Sequence, residues 1–257
     1  MAVSEGVRAS GSHVLDIGLA GTEEMYWAVS EFGACGGIEV TASHNPINYN
    51  GMKIVRSESK PLDIELDFKV IKQLAERETW ILPVSEGATK YCAEEARRTY
   101  VDHVLSFIKV ERIKPLKIVV NSGNGTAGPT FDSIAHSLSK QNAPLEFIRV
   151  HHNPDPKFPN GIPNPLLPQN HGATATIVKK AQADFGIAFD GDFDRCFFFD
   201  EHGKFIQGEY IVGLLASIFL EKESGAKIVH DTRVIWNAKD IIESGGGKAV
   251  QSKTGHP

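Results

Sequence analysis

The stretch KIVVNSGNGTAGPTFDSIAHSL, residues 117–138, carries the pattern that decides the fold. Lys117–Asn121 is a short, β-branched run that ends on a glycine-rich turn, and Pro129–Leu138 then continues with apolar residues at helical spacing. Pro129 fits the first helical position, where a missing amide hydrogen costs nothing. Strand, tight turn and helix in that order make the first half of a βαβ unit, so the expected class is α/β.

The same grammar continues on both sides. Upstream, His13–Ile17 reads as a strand and Thr22–Phe32 as a helix, with Thr22 at its N-cap and Glu23 and Glu24 complementing the positive end of its dipole. Gly37–Ala42 is the next strand and Leu66–Arg77 an amphipathic helix. Ser85–Tyr91 is a polar connection, and Ala93–Ile108 is a long helix with Tyr100, Val101, Val104, Leu105 and Ile108 on one face. Downstream come the strand Leu145–Val150 and the segment HHNPDPKFPNGIPNPLLP, which places six prolines between Pro154 and Pro168. That segment lacks a basic flank and reads as an ordered loop rather than a ligand for proline-binding domains. The helix Thr174–Ala183 and the strand Phe185–Phe189 lead into DGDFDR and a further strand, CFFFD. A last block begins near Gly208 with the helix Tyr210–Glu221, the strand Lys227–His230, a helix near Asn237–Ser244 and the strand Lys248–Ser252. The expected architecture is a series of consecutive βαβ-type domains with mixed, largely parallel sheets, divided as 1–95, 96–206 and 207–257.

Bulk properties narrow the function classes. The chain has 257 residues, 41% hydrophobic and 23% charged, enough to bury a core. A net charge of −5 argues against binding dominated by nucleic-acid phosphates. Three widely spaced cysteines (Cys35, Cys92 and Cys196) suit a reducing compartment. The opening MAVSEGVRASGSHVLDIG has no apolar leader, and the longest apolar run, Tyr210–Leu220, is too short to span a bilayer. It reads as a core or amphipathic helix. The expectation is a soluble cytoplasmic protein with neither nucleic-acid nor membrane partners.

Three loops can carry chemistry. In DGDFDR the carboxylates of Asp190, Asp192 and Asp194 converge, which is costly unless a cation neutralises them. With few protein ligands, Mg²⁺ suits this set better than Ca²⁺; the alternative is a solvated acidic turn. An EF-hand is excluded although Glu201 falls twelfth from Asp190, because Arg195 stands where that loop needs glycine and strands flank it. The second loop, SGNGTAG at 122–128, matches G-x-G-x-x-G. The acidic residue expected at the end of the next strand is absent, so a tight turn is favoured over a dinucleotide site. The third lies in GGIEVTASHNPINYNGMK, residues 36–53. Ser43 is either a turn residue or a hydroxyl exposed at a strand's C-terminal edge, where open α/β sheets bind ligands. His44 can orient or deprotonate that hydroxyl, and Lys53 can offset phosphate charge. No G-x-S-x-G elbow surrounds Ser43, which weakens a hydrolase reading. A serine that carried phosphate would supply an anionic oxygen to a metal on the acidic loop, with Arg195 free to bind the transferring group.

TASHNP at 41–46, NGMK at 50–53, DGDFDR at 190–195 and KTGH at 253–256 together resemble the α-D-phosphohexomutases. GNGTAGP, FPNGIPNPLLP and GIAFDGDFDRCFFFDE look most like the bacterial phosphomannomutases of GDP-mannose and surface-polysaccharide synthesis. The resemblance implies that Ser43 is a phosphoserine and that Asp190, Asp192 and Asp194 ligate one Mg²⁺ together with a phosphoserine oxygen. It implies transfer from Ser43 to a hexose phosphate through a hexose 1,6-bisphosphate, interconverting mannose 6-phosphate and mannose 1-phosphate. His44, Lys53, Arg195 and Lys253 are implied as catalytic groups and His256 as a substrate contact. Family members are longer. An opening Tyr-Asp-Ile-Arg-Gly segment, the sugar-recognition loop and a fourth, phosphate-binding domain are not found here, so the expectation is a chain shortened at both ends with impaired activity. Glucose specificity stays open, as does a metal-binding remnant without catalysis. So does a phosphotransferase using Asp190 as nucleophile and Asp192 as acid, which leaves TASHNP unexplained.

Overall fold

The computed structural model describes residues 2–77 and 85–253. The chain begins with helix α1 (Ala2–Ala9), strand β1 (Val14–Asp16) and helix α2 (Thr22–Glu31), followed by strands β2 (Gly36–Val40) and β3 (Met52–Arg56). Helix α3 (Asp67–Ala75), strand β4 (Thr89–Tyr91) and helix α4 (Ala93–Ser106) complete this part. β1 and β4 pair in parallel, whereas β2 and β3 form an antiparallel pair that sets Glu39 opposite Lys53. Next come β5 (Leu116–Asn121), α5 (Ala127–Lys140), β6 (Leu145–Val150), α6 (His171–Ala181), β7 (Phe185–Phe189), β8 (Cys196–Phe199) and β9 (Phe205–Ile206). Their five strands form one sheet in the order β6-β5-β7-β8-β9, parallel across β6, β5 and β7 and antiparallel beyond. The remaining elements are α7 (Gly208–Lys222), β10 (Lys227–Asp231), α8 (Trp236–Ser244) and β11 (Lys248–Ser252), with β10 and β11 paired in parallel. The α/β class with mixed, mostly parallel pairing matches the expectation from sequence.

The central strand β5 buries Val119 and Val120 completely, as expected of a parallel strand covered on both faces. Val119 packs with Val178 of α6 and Ala183, and Ile148, Val150 and Ile177 close around them. Gly186 on β7 makes this possible. A side chain there would lie 2.7 Å from Val178 and 2.9 Å from Thr174.

Several local expectations change. Helix α5 starts at Ala127, so Pro129 is its third residue; its missing amide hydrogen still falls among the first-turn donors that have no helical acceptor. Helix α2 takes Gly21, not Thr22, as its N-cap, because Thr22 already has helical geometry and its hydroxyl is engaged by Lys53. Glu24 does more than answer a dipole. Its buried carboxylate accepts hydrogen bonds from the Gly21 amide (3.0 Å), Thr130 Oγ1 (2.9 Å) and Arg97 Nε (3.1 Å), tying α2 to α4 and α5. The connection at Ser85–Tyr91 contains β4, whose three residues are recruited by pairing with β1 rather than by their own propensity. Strand β3 was not expected either. It is a hairpin partner that the polar PINYNG loop obscures.

The glycine-rich loop after β5 is pinned by protein rather than left open for a cofactor. Gly123 lies against Pro163, and Asn124 donates to the Asn153 carbonyl and accepts from Asn160, so the proline-rich segment is an ordered cover for this turn. A Cβ on Gly125 would sit 2.4 Å from the carbonyl oxygen of Gly191, the same oxygen that accepts the Thr126 amide at 2.9 Å. Gly125→Ala is therefore expected to destabilise the chain by about 1–3 kcal/mol through backbone displacement. Urea unfolding should show a lowered midpoint with an unchanged slope; a midpoint equal to that of the parent chain would rule out the tight contact.

Candidate active site

The loop after β2 and the hairpin loop between β7 and β8 meet at their backbones. A Cβ on Gly191 would lie 2.3 Å from the Ser43 carbonyl oxygen, so only glycine permits this approach. Ser43 itself sits at φ 51°, the left-handed region that a serine occupies only when its surroundings hold it there. Its amide donates to Thr41 Oγ1 at 2.8 Å, and Thr41 donates to Asp192 Oδ2 at 2.9 Å. Ser43 Oγ is thereby brought to 3.0 Å from Asp190 Oδ2, across 147 residues of sequence, and to 3.0 Å from His44 Nδ1.

The direction of this hydrogen-bond chain follows from its far end. Arg195 Nη1 lies 3.4 Å from His44 Nε2, and a guanidinium only donates, so Nε2 accepts and the ring proton sits on Nδ1. His44 then donates to Ser43 Oγ, and Ser43 donates to Asp190. In this arrangement His44 orients the hydroxyl. Burial, with Arg195 nearby, lowers its pKa, consistent with a neutral ring.

Asp190, Asp192 and Asp194 each contribute a carboxylate oxygen to a cluster within 4.8 Å, and Asp190 and Asp192 are almost wholly buried. Lys53 faces them from β3. Its Nζ lies 2.6 Å from Asp194 Oδ2, 2.9 Å from Asp192 Oδ2 and 2.8 Å from Thr22 Oγ1. Arg195 approaches from the other side, with Nε 3.9 Å from Asp190 Oδ2 and 3.8 Å from Asp194 Oδ1. The buried Asp192 Oδ1 has no hydrogen-bond partner among the described residues. Three hard oxygen donors and an unsatisfied buried carboxylate oxygen beside a serine hydroxyl fit a small divalent cation, the set that Mg²⁺ takes.

Two family models match this chain: phosphoglucomutase/phosphomannomutase alpha/beta/alpha domain I over residues 1–80, and alpha/beta/alpha domain II over residues 98–203. The chain belongs to the phosphoglucomutase/phosphomannomutase family. It is 52% identical to a phosphomannomutase of Salmonella montevideo, over 100% of this chain and 56% of the relative. It is likewise 52% identical to a phosphomannomutase of Vibrio cholerae serotype O1, over 99% of this chain and 55% of the relative. The chain thus spans a little over half the length of the curated relatives it matches. Among solved structures, a phosphoglucomutase/phosphomannomutase family protein of Burkholderia thailandensis superposes with a TM-score of 0.87 at 29% identity, over 99% of this chain and 55% of that one.

Of the residues selected from sequence, the fold brings Ser43, His44, Lys53, Asp190, Asp192, Asp194 and Arg195 together. Lys253 follows β11 as an exposed residue and enters none of the contacts of this cluster. His256 lies outside the described residues. Sequence reasoning missed Thr41, Thr22 and Glu39. Thr41 stood inside the quoted TASHNP motif, but nothing in its spacing told of a bond to Asp192. Glu39 faces the same cluster from β2, and one of its carboxylate oxygens is buried without a partner among the described residues.

The electrostatics follow from crowding. Burial first, then the charges of Asp192 and Asp194, push Asp190 up to about 7. Burial also pushes Glu39 up to about 7; a hydrogen bond with Thr22 opposes the shift and Asp192 adds to it. For Lys53, burial works against the charge, but hydrogen bonds to Asp194 and Asp192 outweigh it and raise the ammonium above its ordinary value. A carboxyl with a raised folded pKa contributes stability below its unfolded value, and that contribution is lost as pH rises through the folded value. The window for Asp190 runs from 3.8 to about 7, and for Glu39 from 4.5 to about 7. His44 acts oppositely, between its lowered value and 6.5. With chelator present, the melting temperature should fall between about pH 5 and about pH 7.5, and added Mg²⁺ should flatten that slope. A metal-free melting temperature that rises over the same range would contradict this account.

Proposed function

We propose that this chain carries the phosphoryl-transfer machinery of a phosphomannomutase-type enzyme, with Ser43 as the phosphoryl carrier. The observation that supports this reading is the Ser43 hydroxyl held 3.0 Å from a buried acidic cluster that comes from a loop 147 residues away. A turn-forming serine has no need of such a partner. Asp190, Asp192 and Asp194, with an oxygen of phosphorylated Ser43, would hold Mg²⁺, which supplies electrostatic stabilisation of the transferring group.

The side chains divide the remaining work. Arg195 presents its guanidinium beside Ser43 and His44, where it can bind the equatorial oxygens of the transferring group. Lys53, kept charged by Asp192 and Asp194, offsets phosphate charge. His44 holds the Ser43 oxygen in line. The Ser43 Oγ–phosphorus bond breaks as the free hydroxyl oxygen of a hexose phosphate bonds to phosphorus; that hydroxyl gives up its proton and the released Ser43 Oγ takes one up, leaving a free serine and a hexose 1,6-bisphosphate. That intermediate reorients and returns its other phosphate to Ser43. The net reaction interconverts mannose 6-phosphate and mannose 1-phosphate, with glucose phosphates as the alternative substrate class. Roles for Lys253 in proton transfer or phosphate stabilisation, and for His256 in substrate binding, rest on family resemblance alone. The repeated βαβ pattern together with that resemblance supports the division into residues 1–95, 96–206 and 207–257, and the widely spaced cysteines support a cytoplasmic setting.

Incubation with glucose 1,6-bisphosphate and Mg²⁺, followed by peptide mass spectrometry, tests the assignment. Phosphate on Ser43, lost in Ser43→Ala, is expected; an acyl phosphate on Asp190 would instead favour the aspartyl phosphotransferase. Turnover is a separate matter. Positioning supplies a large part of phosphoryl-transfer catalysis, and the relatives hold a little under half of their length outside the matched region. The 257-residue polypeptide is therefore expected to run a coupled mannose phosphate assay at least about a hundredfold below a full-length relative. Turnover equal to that relative would overturn the expectation.

A further inference from the structure

Strand β2 is turned the unusual way round. Ile38 and Val40 are 40% and 52% exposed, while Glu39 between them buries its Oε2 without a partner among the described residues. Side chains alternate along a strand, so a shift of one residue would hide the two aliphatic groups and give the carboxylate to water. The register instead sets Glu39 directly opposite Lys53 on β3. Residues paired in this way share one face of the sheet, with Cβ atoms about 4.5–5.5 Å apart.

Lys53 has no proton to spare. An ammonium donates three, and here they go to Asp194 Oδ2 at 2.6 Å, Asp192 Oδ2 at 2.9 Å and Thr22 Oγ1 at 2.8 Å. Two of these acceptors are carboxylates assigned above to Mg²⁺. An ammonium and a divalent cation repel each other, so Lys53 cannot keep both carboxylates once the cation takes them. Thr22 marks the way out. Its oxygen accepts from Lys53, so its single hydroxyl proton is left for the Glu39 carboxylate, to which it is hydrogen-bonded. Thr22 is completely buried and its amide donates to the Asp192 carbonyl at 3.1 Å, so this bridge between Lys53 and Glu39 is held in place.

We infer that Glu39 is a positioning residue for Lys53: a second anionic seat, to which the ammonium moves when Asp192 and Asp194 are given over to a cation. The inference rests on the metal-assisted phosphoryl-transfer reading above. In the first seat all three protons of Lys53 are committed. In the second, Glu39 and Thr22 take two of them, and the third is available to an oxygen of the phosphate on Ser43. The unpartnered Oε2 of Glu39 is the acceptor that this move requires.

Acetylation of Lys53, followed by peptide mass spectrometry at one fixed alkaline pH, tests this without any turnover. The parent chain and Glu39→Gln are compared with chelator and with saturating Mg²⁺, whose binding is read separately from the melting temperature. Only the neutral amine reacts, so losing a carboxylate partner that holds the lysine pKa up by about one unit speeds the reaction about tenfold. With chelator the two proteins are expected to react within about twofold of each other, because Asp192 and Asp194 hold the ammonium in both. With Mg²⁺ the parent should change little, and Glu39→Gln should react at least about tenfold faster than the parent. Equal rates with Mg²⁺ bound to both proteins would overturn the proposal and leave the metal reading intact. So would a tenfold difference already present with chelator, which would make Glu39 a fixed partner. Mg²⁺ that stabilises neither protein would overturn the metal reading and this proposal with it. If Glu39→Gln alone loses stabilisation by Mg²⁺, the double variant with Lys53→Met decides. Restored stabilisation supports a seat for the displaced ammonium, and its continued absence counts against one. Should Glu39→Gln fail to fold, the parent alone gives the answer: a Lys53 rate unchanged by Mg²⁺ supports the second seat, and a tenfold rise overturns it.

Discussion

Three carboxylates within 4.8 Å of one another, nearly all of their surface removed from water, repel strongly. Each ionised pair costs about 4 kcal/mol at an effective dielectric constant of about 20, a sizeable part of the whole stability of a domain. The surrounding structure answers that repulsion. Lys53 is carried in on β3 by its pairing with β2, Arg195 closes the hairpin loop that bears the three acids, and the raised pKa of Asp190 lets it take up a proton as the pH falls below about 7. The antiparallel β2–β3 hairpin places a cation opposite the acidic loop that joins the antiparallel strands β7 and β8.

The position of Ser43 is set by backbone rather than by side chains. Gly191 meets the Ser43 carbonyl, Gly125 meets the Gly191 carbonyl, and Thr22 donates its amide to the Asp192 carbonyl. Main-chain contacts of this sort tolerate little error, since nothing in them can change rotamer. They fix the serine oxygen relative to the acids more closely than a salt bridge between long side chains would. The strained φ of Ser43 is maintained by the hydrogen bond its amide donates to the Thr41 hydroxyl, which in turn donates to Asp192. The conformation of the serine therefore depends on the acidic loop being in place.

Much of this was readable from the residues. β5, β6, β7 and β11 fall within a residue of their expected bounds, because a short run with an apolar centre closed by a turn has one good solution. The acids at 190, 192 and 194 announced themselves, since their convergence needs a cation wherever they lie. Other features were legible only through contacts distant in sequence. β4 has three residues and is a strand because β1 lies beside it. Glu24 looked like a dipole partner and is a buried junction of three elements, since nothing local tells that Thr130 and Arg97 arrive there. Thr22 lost its expected capping role to Lys53, whose own position depends on a hairpin that the polar loop at 46–51 concealed. In each case local preference was overridden by a partner from another element.

The separation of Ser43 from Asp190 has a consequence in time as well as space. During synthesis at roughly 5–20 residues per second, the serine loop emerges about 7–30 s before the loop that completes it. The contact closes over 147 residues, so it is among the slowest kinds of contact for a chain to form. Until then Ser43 has no acids to lean on and no reason to keep its left-handed backbone. The hydroxyl acquires its surroundings late, once both loops have been made.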